Sequence, residues 1–282
     1  MAARGRHAQG EVGALLTRRV LPAGLLLGMA LIIASCAAPT GPSGLGAAGS
    51  DAHIPPYARV PYQPFSREAA IQIAYREWRA FGQPVVLPHT ELPFDNERVE
   101  GLWQRVGDYW WLGLSLGDRD QGFTGMHDQN GRVFSAAEDE NFAWSAAFID
   151  YVMRMAGAGR RFPYSSTHSD YINAARQGGS GLVISAHPPE SYAPQRGDLI
   201  CYSRTRRPIR YAELPTGRFP GHCDLVVATR PGLLDVIGGN VDNSVSMKHV
   251  PVTTNGLLAN PDGTNVDPDN AWFVVLRVLY DR

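Results

Sequence analysis

His222 and Asp224 stand two residues apart in Phe219-Pro220-Gly221-His222-Cys223-Asp224-Leu225-Val226-Val227, where a long polar connection gives way to a β-branched run. The start of a strand suits a general base, because the sheet fixes the imidazole while its edge stays accessible. If His222 faces a cleft against the helices, alternation puts Asp224 on the same face and turns Cys223 to the other. Cys223 is therefore a poor nucleophile for His222. Cys201 and Cys223 fall on successive strands, and two readings are open for them: a cross-strand disulfide, or two buried small hydrophobes. The third cysteine, Cys36, lies far upstream, and neither a CxxC pair nor a zinc-like Cys/His cluster occurs.

The elements that must position these groups begin at Ser66. Ser66–Phe81 has an apolar repeat behind a polar start, which predicts a helix. A second helix is expected over Asn96–Leu114, where Val99, Leu102, Trp103, Val106, Tyr109 and Trp110 make an aromatic core stripe, with Trp111 off the stripe and able to line a groove. Gly117–Arg132, with His127 and Asp128, reads as an ordered loop. Ser135 and Glu138 have capping-box spacing ahead of a helix over Phe142–Met155. A short helix follows over Ser169–Gln177. After Gly178 the pattern changes to strands near 197–203, 223–229, 234–237, 244–250 and 272–280, with Gly238-Gly239 among the turn signals. Helices followed by an antiparallel meander predict an α+β domain over residues 63–282. The aspartates of Asn260–Asp269 depart from calcium-loop spacing and read as a loop, so no metal and no cofactor is expected.

Upstream, Arg18 and Arg19 precede an apolar run from Val20 to Ala34, 15 residues long. A span needs about 20 apolar residues and a signal-peptide core about 7–15, so residues 1–35 are expected to be a signal segment. Ile33-Ala34-Ser35-Cys36 resembles a bacterial lipobox, which implies lipidation of Cys36 and a membrane-anchored lipoprotein. Ala37 after it implies, by the same resemblance, the outer membrane. Residues 36–62 then form a Gly/Pro/Ala-rich tether with a reach of about 30 Å. The chain carries 26 basic and 27 acidic residues, and removing residues 1–35 leaves 22 and 26, a net of −4. With no long basic run, nucleic acid is excluded as a partner.

Ala143-Trp144-Ser145-Ala146-Ala147-Phe148, Gly197-Asp198-Leu199, Gly221-His222 and Gly238-Gly239-Asn240, in that order, resemble the CHAP and NlpC type of papain-like cell-wall hydrolases. Adding Tyr164-Ser165-Ser166, His168 and Gly239–Val245, the stretch from about 65 to 280 resembles the bacterial family called domain of unknown function 2272. The resemblance implies a papain-like α+β fold with helices packed on an antiparallel sheet. It places the nucleophile on Ser145, the base on His222 and the orienting group on Asn240, with Asp224 or Asp242 as alternative orienters. His168 is either a substrate-binding neighbour of Ser145 or a structural histidine. Serine stands where those families keep cysteine, and a hydroxyl needs a well-placed base throughout. First-turn N–H groups of the Phe142–Met155 helix would receive the oxyanion.

Two functions follow from the resemblance. One is an envelope amide hydrolase acting on peptidoglycan or its peptides. The other is a catalytically inactive lipoprotein that binds cell wall or an envelope protein partner through the same cleft.

Overall fold

The first helix forms where the sequence supplies both a cap and an apolar face. In α1 (Arg67–Ala80) the Ser66 hydroxyl accepts the Ala69 N–H at 3.2 Å, and Ala70, Ile71 and Ala74 turn inward. The structure is a computed structural model and describes residues 64–86, 96–115 and 117–281. The expected signal segment, the lipidated Cys36 and the tether to residue 62 lie outside the described residues. Among the described residues no helix is long and apolar enough to cross a membrane.

The second expected helix is divided. A short 3-10 turn (Asn96–Arg98) precedes α2 (Leu102–Gly113), because Gly101 between them takes φ 86°, a left-handed conformation that ends helical continuity. Ser135 and Glu138 do form a capping box, but on a 3-10 segment (Ala136–Phe142). The α-helix itself, α3, runs over Ser145–Met155, three residues later than the apolar pattern alone suggests. Next comes α4 (His168–Gln177).

Among the described residues seven strands make one open sheet: β1 (Val85–Val86), β2 (Ile184–His187), β3 (Leu199–Ser203), β4 (Gly221–Arg230), β5 (Leu233–Gly238), β6 (Ser246–Pro251) and β7 (Trp272–Val278). Their order is β1-β6-β5-β4-β3-β7-β2. Every described pairing is antiparallel except β1 with β6. The expected meander is β3 to β6. The final strand does not extend it but inserts beside β3, and β2, too short to read as a strand in sequence, lies outside β7. The class is α+β, as the element order predicts.

Two apolar layers sandwich the sheet. Ala74, Tyr109, Phe148, Ile149 and Ile172 from the helices pack on Leu199, Cys201, Cys223, Leu225 and Ile237. The other face carries Ile200, Val226, Val236 and Trp272, covered by Val252 and Leu258 from the connection to β7. The first two strands of the meander are cross-linked. Cys201 lies directly opposite Cys223 in register and the two form a disulfide, S–S 2.05 Å.

Gly197-Asp198-Leu199 proves to be a structural clip. The buried Asp198 carboxylate accepts the N–H groups of Gln195 at 2.9 Å and Val278 at 3.0 Å and the Tyr192 hydroxyl at 3.0 Å, tying the entry of β3 to the end of β7. In the acidic loop Asp267 likewise accepts the Asp269 N–H and the Trp272 indole N–H, so its carboxylate serves the loop's own fold.

Candidate active site

Ser145 is the first residue of α3, after Trp144, whose indole donates to Glu97 and whose side chain does not cap the helix. The first-turn N–H groups of a helix have no acceptor one turn back, so this end carries partial positive charge beside the Ser145 hydroxyl. Ser145 Oγ lies 2.7 Å from His168 Nε2. His168 opens α4, and three residues on, on the same side of that helix, the Tyr171 hydroxyl meets the other ring nitrogen, Nδ1. Both the imidazole and Tyr171 are buried.

The pair forms part of the wall of a cavity of about 460 Å³ bounded by Ser145, Thr167, His168, Arg204, Arg218 and Phe219 among others. Ser145 is therefore close to solvent-accessible space, although its own exposure is only 4%.

His222 does not contact Ser145. Cys223 and Leu225 point into the layer beneath the helices, so alternation turns His222 and Asp224 to the opposite face, with Tyr202 and Trp272. The expected cleft-facing orientation of His222 against the helices is thus reversed. The in-register disulfide puts Cys201 and Cys223 on one face, and their packing with Leu225 beneath the helices makes that the helix face. From the end of β4 the His222 ring still comes within 5.4 Å of the His168 ring, centroid to centroid.

Both His222 nitrogens are occupied. Nε2 lies 3.0 Å from Asp224 Oδ1, and Nδ1 lies 3.2 Å from Arg204 Nη2. A guanidinium only donates, so Nδ1 is the acceptor and Nε2 carries the hydrogen that it gives to Asp224. Asp224 is held in turn by Lys248, Nζ to Oδ2 2.8 Å. Lys248 on β6 reaches Asp224 on β4 across β5, whose Gly238 packs on the Asp224 carboxylate. A Cβ there would fall 1.9 Å from Asp224 Oδ1 and 2.8 Å from His222 Nε2.

Electrostatics follow burial and these partners. Burial pushes His168 well below the ordinary imidazole value, with His222 and Arg204 adding to the effect. Burial lowers His222 to about 4, against the pull of Asp224 and with the help of Lys248. Burial alone would raise Asp224, but Lys248 and His222 bring it below the usual carboxylate range. Burial would lower Lys248, and Asp224 overrides it. At neutral pH the site therefore holds two uncharged imidazoles beside a closed ion pair.

Asn240 makes no hydrogen bond to His222. It stands at φ 54° in a tight connection that also holds Asp242 at φ 50° and Asn243 at φ 52°, and Asn and Asp are the side chains that best tolerate that conformation. These residues shape the turn between β5 and β6. Asp224 is the carboxylate that contacts His222. Tyr171, Arg204 and Lys248 escaped sequence reading, although Tyr171 at three residues from His168 and a lone lysine in an apolar strand are both visible patterns.

No curated protein matches the chain, and no solved structure does. The family described as an uncharacterized protein conserved in bacteria, DUF2272, matches residues 97–278, a span that carries every side chain of this site, and the chain belongs to that family.

Proposed function

We propose that the chain is an acyl hydrolase of the cell envelope in which Ser145 attacks a carbonyl and His168 is its general base. The observation that carries the reading is the 2.7 Å contact between Ser145 Oγ and a neutral imidazole at the wall of an open cavity. A neutral ring can take the hydroxyl proton as the oxygen adds to the carbonyl, then return it to the leaving group. For that, Nε2 must accept, so Nδ1 must carry hydrogen and donate to the Tyr171 oxygen. Tyr171 takes the orienting place that a carboxylate or amide fills in other triads. First-turn N–H groups of α3 stabilise the oxyanion.

The substrate class rests on the motif order and its papain-like resemblance: an amide bond in peptidoglycan or its peptides. Residues 18–36 supply the basis for anchoring at the outer membrane through a lipid on Cys36. Incorporation of radiolabelled palmitate that vanishes in Cys36→Ala tests the anchor.

One observation favours a second reading, a cleft that binds wall or a protein partner without turnover. Nδ1 of His168 is the hydrogen-bond partner of the buried Tyr171 hydroxyl among the described residues. If Tyr171 donates to Nδ1, Nε2 becomes a donor to Ser145 and cannot act as a base. The test is digestion of purified sacculi by the full chain in detergent, with Ser145→Ala and Ser145→Cys alongside. Released peptides from the unmutated chain and none from Ser145→Ala support the hydrolase. Release by Ser145→Cys alone supports the second reading, since a thiolate needs less of the base.

A further inference from the structure

Five cationic or ionisable groups face the cavity or support its wall, and all but one are neutralised locally. Arg218 is bound in a fork by Asp170, Nε to Oδ1 2.9 Å and Nη2 to Oδ2 2.6 Å. Lys248 is spent on Asp224, and both imidazoles are uncharged. Arg204 remains. It lines the cavity, is exposed, and forms no ion pair with a carboxylate among the described residues.

Nor is it a freely waving surface arginine. One Nη2 hydrogen goes to His222 Nδ1 at 3.2 Å, and the guanidinium carbon lies 5.9 Å from the centroid of the Tyr202 ring. Holding a long side chain on two sides costs rotamer entropy, which a merely solvated charge would not incur. The fixed His222 tautomer explains how the grip works. Lys248 fixes Asp224, Asp224 takes the Nε2 hydrogen, and the lone pair left on Nδ1 faces the guanidinium. The remaining donors of Arg204 form the planar edge that binds a carboxylate through two parallel hydrogen bonds.

We propose that Arg204 is the anion-recognition residue of this cavity, positioned by the chain His222–Asp224–Lys248, and that the acyl compound taken at Ser145 carries a free carboxylate near its reacting carbonyl. The inference rests on the cavity being the substrate site, and it assigns His222 a positioning role in place of the base.

The experiment measures binding without turnover. Full-chain Ser145→Ala protein in detergent is titrated with N-acetyl-D-alanyl-D-alanine as the free acid and as its C-terminal amide, by calorimetry at low salt. The acid is expected to bind at least about tenfold more tightly than the amide. Arg204→Gln should bring the two within about twofold, and Arg204→Lys should keep part of the preference. Replacing Asp170 and Arg218 together, by Asn and Gln, should leave it intact because that pair is already neutral. Nitrogen NMR should show the His222 Nδ1 resonance, unprotonated, shifting in Arg204→Gln, a change that loss of packing elsewhere would not give. Equal binding of acid and amide, no binding of either at millimolar concentration, or a preference that survives Arg204→Gln overturns the proposal. Sacculus digestion is read separately, so a missing charge preference in an active hydrolase and a preserved preference in an inactive one tell the two ideas apart.

Discussion

His168 stands between two hydroxyls, with Ser145 Oγ 2.7 Å from Nε2 and Tyr171 Oη at Nδ1, and neither neighbour dictates which nitrogen carries the hydrogen. A carboxylate at the second position would force the basic tautomer. A phenol allows both, which makes Tyr171 the residue on which activity turns.

The two histidines should therefore respond differently to substitution. His168→Ala and Ser145→Ala are expected to lower kcat/KM by about a thousandfold or more, as in other Ser-His sites. Tyr171→Phe should lower kcat by about ten- to a hundredfold with little change in KM. His222→Gln should act mainly on KM, through Arg204. Steady-state kinetics on a defined wall peptide checks all four, and an equal kcat loss in His168→Ala and His222→Gln would count against the assignment.

Acid should destabilise the fold through the same histidines. Their folded values lie below the unfolded value of about 6.5, so the unfolded chain binds more protons on acidification. Stability is retained above that value and falls as the pH drops toward 4, by about 1.4 kcal/mol per pH unit for each histidine. Urea unfolding at pH 7, 6 and 5 should show the slope, reduced by one proton in His222→Gln.

Asp150 should show the opposite sign. It is buried on α3, its Oδ2 accepts the Ser165 N–H at 2.8 Å, and its Oδ1 has no hydrogen-bond partner among the described residues. Burial raises its carboxyl well above the usual value, so its stabilising share is present at low pH and lost as the pH rises through the folded value. Asp150→Asn keeps the acceptor for Ser165 and cannot ionise. Its stability relative to the unmutated chain should rise from pH 4 to pH 8, and a difference that stays flat across that range would refute the assignment.

The Cys201–Cys223 disulfide closes a loop with a sequence separation of 22 residues. Loop-closure entropy makes that worth about 3 kcal/mol, or roughly 6–12 °C in Tm for a domain of this size. Thermal unfolding with and without reductant is the check, and an unchanged Tm on verified reduction would show that the sheet does not depend on the bond.

The helices were legible because their apolar stripes and caps are local, and α1 and α4 fall within a residue or so of the boundaries read from sequence. The meander was legible for the same reason. What escaped is what depends on tertiary choice. Alternation links His222, Cys223 and Asp224 but cannot say which of them faces the helices, and the packing of Cys201, Cys223 and Leu225 against the helix layer decides it. β1 and β2 are short pieces recruited by longer neighbours. Gly238-Gly239 reads as a turn, yet Gly238 closes β5 over Asp224 and a Cβ at Gly239 would lie 2.5 Å from the Phe148 Cβ. Ser145 was marked by motif, while its partnership with His168 belongs to the packing of α4.

Gly238 also binds three sequence positions into one heritable set. Lys248 and Asp224 meet across an intervening strand, and a Cβ at position 238 would overlap the Asp224 carboxylate. A larger residue there would strand a buried carboxylate and a buried ammonium together, leaving each without its counter-charge. Single-step drift at any of the three is thus penalised, and the acid, the gap and the base should be lost or kept as a unit. Relatives that carry a side chain at 238 are expected to have apolar residues at both 224 and 248, and with them no anchored guanidinium at 204.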